Sequence, residues 1–336
     1  MLAAFSGGKE KIELKEVPVP APGPGEVLLR VRACGICGSD LHFYRGELPM
    51  IPTISPGHEF AGEVAEVGEG VQGIAPAQRV VAEPLRTCRE CSYCRTGNYE
   101  ICPERVLLGT FAPGALAEYV TVPAYTLYSL PDALDYELAA LVEPLAVTVH
   151  GLHLVGLSSG ERVVVLGSGS IGILATLAAR ALGAAEVIAT FRYEHQAQAV
   201  LAAGASRAVP EGEAAGLANE KPDMVVEAVG GHADTLNQAI GLVRPGGRVA
   251  VLGLFTRPAQ VNALALMLNE VRAVGGITYC RPDQDSDFDT ALRIIEADPE
   301  RARGMVSHRF PLPQVDEAFR TANDKSTASV KVQVQL

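Results

Sequence analysis

Residues 163–172, Val163-Val164-Val165-Leu166-Gly167-Ser168-Gly169-Ser170-Ile171-Gly172, constrain this chain more than any other stretch. An apolar strand runs straight into G-x-G-x-x-G, and an Ala/Leu-rich helical stretch over 171–182 follows at once. The glycines permit a tight turn and a close backbone approach, so a pyrophosphate can sit at the helix N-terminus. A second strand, 186–190, comes next, and that strand–loop–helix–strand setting is what makes the short motif specific. Later strands at 224–229, 248–254 and 273–277 each follow a helical stretch or a Gly-rich turn. Short buried strands alternating with helices predict βαβ units and a doubly wound parallel sheet over 147–280.

A dinucleotide-binding unit of this kind carries an acid about 20 residues past the loop, where it grips the ribose 2′-hydroxyl. Here that place holds Thr190-Phe191-Arg192-Tyr193, with no acid at the strand end and an arginine next. Losing the carboxylate removes a repulsion, and Arg192 can pair with a 2′-phosphate. The expected coenzyme is NADP(H), with NAD(H) second. The competing reading makes Arg192 a solvated turn residue and lets Glu194 bind the ribose.

The two ends of the chain read differently. Residues 1–146 show a Pro/Gly-rich connection at 17–25, a strand-like run at 26–33 and an alternating run at 63–67 between Gly62 and Gly68. Short strands with glycine corners predict a β-rich domain. Residues 329–334 alternate again as a terminal strand, so 281–336 is expected to rejoin the first domain.

Six of the seven cysteines precede position 103. Cys88, Cys91, Cys94 and Cys102 form C-x2-C-x2-C-x7-C within a lobe of about 86–104. Four thiolates on one compact loop suit a tetrahedral Zn²⁺ with no open position, a structural site. An iron–sulfur cluster can use the same ligands, and plain loop cysteines or an adventitious disulfide are the bland reading. Cys37, His58, Glu59 and Glu143 are the ligand types of a catalytic zinc that keeps a position open for water or substrate. Cys34-Gly35-Ile36-Cys37 is also formally a dithiol motif, but it lies in the β-rich part and not in a strand-to-helix turn.

Lys plus Arg is 28 and Asp plus Glu 39, a formal charge of −11, which argues against nucleic acid or an anionic membrane as partner. No apolar stretch reaches the ~18 residues of a membrane span. Residues 1–8 lack a basic segment and a long apolar run, so no signal peptide is expected and the expected location is cytoplasmic.

Together these residues resemble the zinc-dependent medium-chain dehydrogenase/reductase family, near its sorbitol and threonine dehydrogenase branches. Gly57-His58-Glu59-x-x-Gly62-x5-Gly68-x-x-Val71 is similar to the family's zinc signature, the cysteine quartet to its structural-zinc lobe, and Glu143-Pro144-Leu145-Ala146-Val147 to its lead into the coenzyme domain. The resemblance implies a GroES-like catalytic domain (1–146 and 281–336), a Rossmann coenzyme domain (147–280) and two zinc ions per chain. It implies a catalytic zinc on Cys37 and His58, with Glu59 and Glu143 sharing the remaining role. In polyol-type relatives Glu59 coordinates and Glu143 holds the metal-bound water; in others Glu143 coordinates directly.

Ser39 and His42 match the family's proton-relay hydroxyl and the imidazole at its outer end. Gly167, Ser168, Gly169, Ile171, Gly172, Phe191, Arg192, Leu252, Leu254, Ile277 and Thr278 match the coenzyme-lining positions. The implied activity is reversible hydride transfer between a secondary alcohol, or a polyol, and NADP(H). The alternatives are an NAD-dependent polyol or threonine-type enzyme and a coenzyme-binding redox sensor without turnover. The polyol branch has Arg-Tyr where this chain has Thr278-Tyr279, and Tyr where it has Phe43, so two groups that bond substrate hydroxyls are missing. A long polyol is therefore disfavoured, and a less hydroxylated secondary alcohol or ketone fits at least as well. A homo-oligomer, tetramer before dimer, is expected through the coenzyme domain, where 261–271 is apolar.

Overall fold

The computed structural model describes residues 1–48, 53–280 and 285–336. The chain forms two compact units. The first comprises Met1–Glu143, Cys280–Pro299 and Val306–Leu336; the second comprises Pro144–Tyr279 and Glu300–Met305.

A seven-stranded sheet organises the first unit. Across it run Val306–Pro311, Lys331–Gln335, Glu26–Gly35, Glu59–Val67, Arg79–Ala82 and Leu127–Ser129, and Tyr119–Pro123 also pairs with Glu26–Gly35. Val27, Leu29, Val31, Phe60, Val64, Val80, Val120 and Val122 build its core. The helix Val315–Asn323 closes that core with Val315, Ala318, Phe319 and Ala322, the i, i+3, i+4, i+7 stripe of an amphipathic helix. Fully burying each such large apolar side chain contributes about 1.5–3 kcal/mol. The register across the central strand matters most for function. Gly35, its last residue, lies between Glu59 on one side and Gln333 on the other.

The second unit holds six parallel strands in the order Arg207–Pro210, Glu186–Phe191, Arg162–Leu166, Met224–Glu227, Arg248–Val251, Arg272–Gly275. Numbered along the chain this is 3-2-1-4-5-6, the doubly wound dinucleotide-binding order, with its switch point between the first and fourth strands. Val163, Val164 and Val165 are wholly buried, as strands covered on both faces require. The glycine loop leaves the first strand at the switch point and leads into the helix Ser170–Ala181. Gly172 cannot be replaced there, because a Cβ would lie 1.8 Å from the Gly167 carbonyl oxygen. No helix among the described residues is long and apolar enough to cross a membrane.

Candidate active site and metal centres

The first centre grows from the register at Gly35. Glu59 begins its strand beside Gly35, and its carboxylate lies over that residue; a Cβ on Gly35 would fall 2.0 Å from Glu59 Oε2. Two residues before Gln333, strand alternation turns Lys331 to the same face as Gln333. Lys331 is only 1% exposed, and its Nζ donates to both Glu59 oxygens at 2.7 Å and to the Ile36 carbonyl at 3.3 Å. Just past Gly35, Cys37 caps the helix Gly38–Tyr44, and its N–H donates to Asp40 Oδ2 at 2.9 Å.

Cys37, His58 and Glu59 bring one ligand atom each within 4.8 Å of one another. Asp40 Oδ1 lies 3.8 Å from His58 Nδ1, and neither atom has a hydrogen-bond partner. Glu143 stands outside the three-residue set, buried in the first turn of the helix Val142–Leu154.

The charge balance favours a dication. Asp40, Glu59, Glu143 and the Cys37 thiol gather around the buried Lys331 and His58. Burial pushes the Asp40 carboxyl above its usual range and Glu143 up to about 8, with the Glu59 charge adding to both. Burial acts to lower the His58 pKa, but the charges of Asp40, Cys37 and Glu143 outweigh it and hold that pKa well above its usual value. Without a metal such a pocket retains protons to offset its negative charge. A divalent ion does so instead, and thiolate, imidazole and carboxylate together are a zinc donor set.

Ser39 and His42, three residues apart, share one face of the Gly38–Tyr44 helix. His42 Nδ1 faces the Glu47 carboxylate and also lies 3.0 Å from Arg45 Nη2. The dithiol reading of Cys34 with Cys37 does not hold. Both are free thiols, and Cys34 is wholly buried, its pKa pushed well up by that burial and by Asp40. Such a thiol is not a nucleophile.

The second centre is the lobe. Its sulfurs approach at 3.5 Å (Cys102–Cys88), 3.6 Å (Cys91–Cys94) and 3.8 Å (Cys88–Cys94), and all four are free thiols. Tetrahedral zinc with Zn–S near 2.3 Å separates its sulfurs by about 3.8 Å, so the quartet fits that ion. N–H groups from Glu90 and Cys91 pull the Cys88 thiol down to about 7, while burial and the neighbouring thiols push Cys94 up to about 12.

In the second unit every sequence-predicted coenzyme residue follows the carboxyl end of a parallel strand. Gly167, Ser168, Gly169, Ile171 and Gly172 follow Arg162–Leu166; Phe191 and Arg192 close Glu186–Phe191; Leu252 and Leu254 follow Arg248–Val251; Ile277 and Thr278 follow Arg272–Gly275. In a parallel sheet these ends share one edge, where ligands of such folds bind. Gly167 N–H donates to Thr190 Oγ1 at 2.9 Å, and Ser168 Oγ donates to the Thr190 carbonyl at 2.6 Å, so the first two strand ends are tied together. Leu254 and Ile277 are half exposed there.

Comparison with known proteins bears on all of this. Residues 23–132 match the alcohol dehydrogenase GroES-like domain and residues 170–297 the zinc-binding dehydrogenase domain. A sorbitol dehydrogenase of Halalkalibacterium halodurans is 33% identical over 97% of this chain and 96% of its own. The chain belongs to the zinc-dependent medium-chain dehydrogenase/reductase family. This dehydrogenase also resembles two solved structures, each at 30% identity and TM-score 0.89, covering 100% of this chain and 99% of theirs: a zinc-binding dehydrogenase from Sinorhizobium meliloti bound to NADP, and the 2R,3R-butanediol dehydrogenase of Bacillus subtilis. It is thus a zinc-type alcohol or polyol dehydrogenase with a GroES-like domain and a Rossmann-like parallel sheet.

Sequence reasoning does not find Lys331. In the alternating run 329–334 a lysine reads as the solvent-facing position, and its partner Glu59 lies 272 residues away. Only the outward-polar rule pointed anywhere, and it pointed the wrong way.

Proposed function

We propose that this enzyme interconverts a small secondary alcohol and its ketone with NADP(H) as the preferred coenzyme, using one catalytic and one structural zinc per chain. Arg192, at the end of the second parallel strand with no acid at the strand end itself, carries the coenzyme assignment. The Cys37–His58–Glu59 set supports the reaction type. A less hydroxylated substrate is inferred from Thr278 and Phe43, which stand where the polyol branch carries an arginine and a tyrosine that bond substrate hydroxyls; the Bacillus subtilis relative named for butanediol is in keeping with this.

The division of labour among this chain's residues follows from their chemistry. A bound zinc supplies Lewis-acid polarisation of the carbinol or carbonyl oxygen, and a bound nicotinamide supplies the hydride exchange. Cys37 and His58 would hold the metal. Asp40 places a negative charge 3.8 Å from His58 Nδ1 without bonding it. Lys331 occupies both oxygens of Glu59, which would leave Glu143 as the carboxylate free to serve the metal site. The Ser39 hydroxyl would accept the substrate proton while donating its own to the ribose of a bound coenzyme, and His42 would pass the proton from that ribose to solvent. Serine is no strong base, so it transfers and does not drive.

Arg192→Ala is expected to raise the Michaelis constant for NADPH by about tenfold or more, since a charge-assisted guanidinium–phosphate bond is lost, and to leave that for NADH within about twofold. Steady-state kinetics on a panel of ketones and polyols with both coenzymes checks this. Equal effects on the two coenzymes, or turnover confined to polyols with NADH, would reject the assignment.

We also propose a homo-oligomer, a tetramer, joined through the second unit. Arg272–Gly275 is an outer strand of its sheet, and the helix before it, Ala263–Leu268, leaves Leu264, Met267 and Leu268 61–69% exposed. An open edge beside an apolar helix is a surface that proteins cover. Leu268→Asp should reduce the sedimenting mass; an unchanged mass would exclude this face.

A further inference from the structure

The end of the second parallel strand holds an ion pair that the coenzyme assignment does not account for. Arg192 Nε donates to both Glu211 oxygens, each at 2.9 Å. Both side chains are more than half exposed, at 60% and 53%. The other donors at this strand end are already engaged. The N–H groups of Arg192 and Tyr193 donate to Gln196 Oε1 at 3.1 and 3.2 Å. Thr190 is committed to the glycine loop through both its hydroxyl and its carbonyl. An anion arriving here meets no free backbone amide at 192 or 193. It meets a guanidinium that a carboxylate already neutralises.

We infer that Glu211 sets how strongly this enzyme discriminates between NADP(H) and NAD(H), acting as a counter-ion on Arg192. The inference rests on the NADP(H) reading above and adds to it a residue that opposes it. Glu211 engages only Nε, so the Nη groups of Arg192 are not the donors to it. A 2′-phosphate, with about −1.5 to −2 charges, can bond those Nη groups, but it then lies beside the Glu211 carboxylate. That carboxylate repels it and shares the guanidinium charge. A coenzyme without the 2′-phosphate meets neither effect. Glu211 thereby holds the enzyme nearer to dual-coenzyme use than Arg192 alone would set.

The test is calorimetric binding of adenosine 2′,5′-bisphosphate and adenosine 5′-monophosphate to the zinc-loaded protein, which reads the adenosine site without turnover. Glu211→Gln keeps the shape and removes the charge. It should tighten the bisphosphate by about 5- to 10-fold, as the repulsion between the carboxylate and the 2′-phosphate is removed, and leave the monophosphate within about twofold. Glu213→Gln, which removes an exposed carboxylate two residues on, controls for general charge and should change the ratio by less than about twofold. Arg192→Ala should collapse the preference for the bisphosphate. If Arg192→Ala collapses it while Glu211→Gln leaves it unchanged, or Glu213→Gln matches Glu211→Gln, the role of Glu211 is overturned and the NADP(H) reading stands. If Arg192→Ala leaves the preference intact, the reading and the inference fall together.

Discussion

Cys37→Ser should abolish turnover, with kcat falling by at least about 10³-fold, while the protein remains folded. The size follows from the several kcal/mol that a Lewis acid contributes to the transition state. A serine hydroxyl does not ionise at neutral pH and cannot replace a thiolate ligand, so the Cys37–His58–Glu59 set would lose its softest member. The fold should persist because the Cys37 N–H on Asp40 is a backbone bond that serine keeps, and a serine hydroxyl also caps a helix. Single-turnover and steady-state rates, read beside circular dichroism, separate loss of chemistry from loss of structure. Residual activity within tenfold of wild type would remove Cys37 from the metal site.

Lys331→Met should destabilise the first unit by about 3–5 kcal/mol, the cost of leaving a buried carboxylate without its partner. Glu59 is wholly buried, and Lys331 is the cation bonded to both its oxygens. Methionine keeps most of the volume, so lost packing contributes little. The double variant Lys331→Met with Glu59→Gln should recover much of the loss, because a neutral amide leaves no charge behind. Denaturant midpoints measured at constant slope supply the comparison. A single variant within 1 kcal/mol of wild type, or a double variant no better than the single, would mean that the pair is not what holds Glu59 in place.

The contrast between these two residues shows what the sequence makes legible. The glycine loop and the cysteine quartet are local: their residues lie within a few positions of one another, and spacing alone limits their chemistry. The loop forms between strand and helix as its pattern predicts, and the four sulfurs converge. The parallel sheet also follows from alternating apolar runs, since a strand buried on both faces has few other ways to be covered. Lys331 is a different case. Periodicity assigns it to solvent, and only the antiparallel pairing of Lys331–Gln335 with Glu26–Gly35 brings it beside Glu59. Glu211 is similarly hidden: nothing near it in the sequence names Arg192, which it meets because the strands they follow are neighbours in the sheet. Pairs created by tertiary register leave no short-range signal, and both examples are charged groups whose partners decide their role.

Two different metal centres are expected in each chain, one that works and one that holds the lobe together. Zinc content per chain, measured on the purified wild type and on Cys37→Ser, tests this directly. The expected result is two zinc ions per wild-type chain and one per Cys37→Ser chain, with turnover lost alongside the missing ion. A wild type that turns over fully with one zinc or none, or a Cys37→Ser protein that retains two, would contradict it.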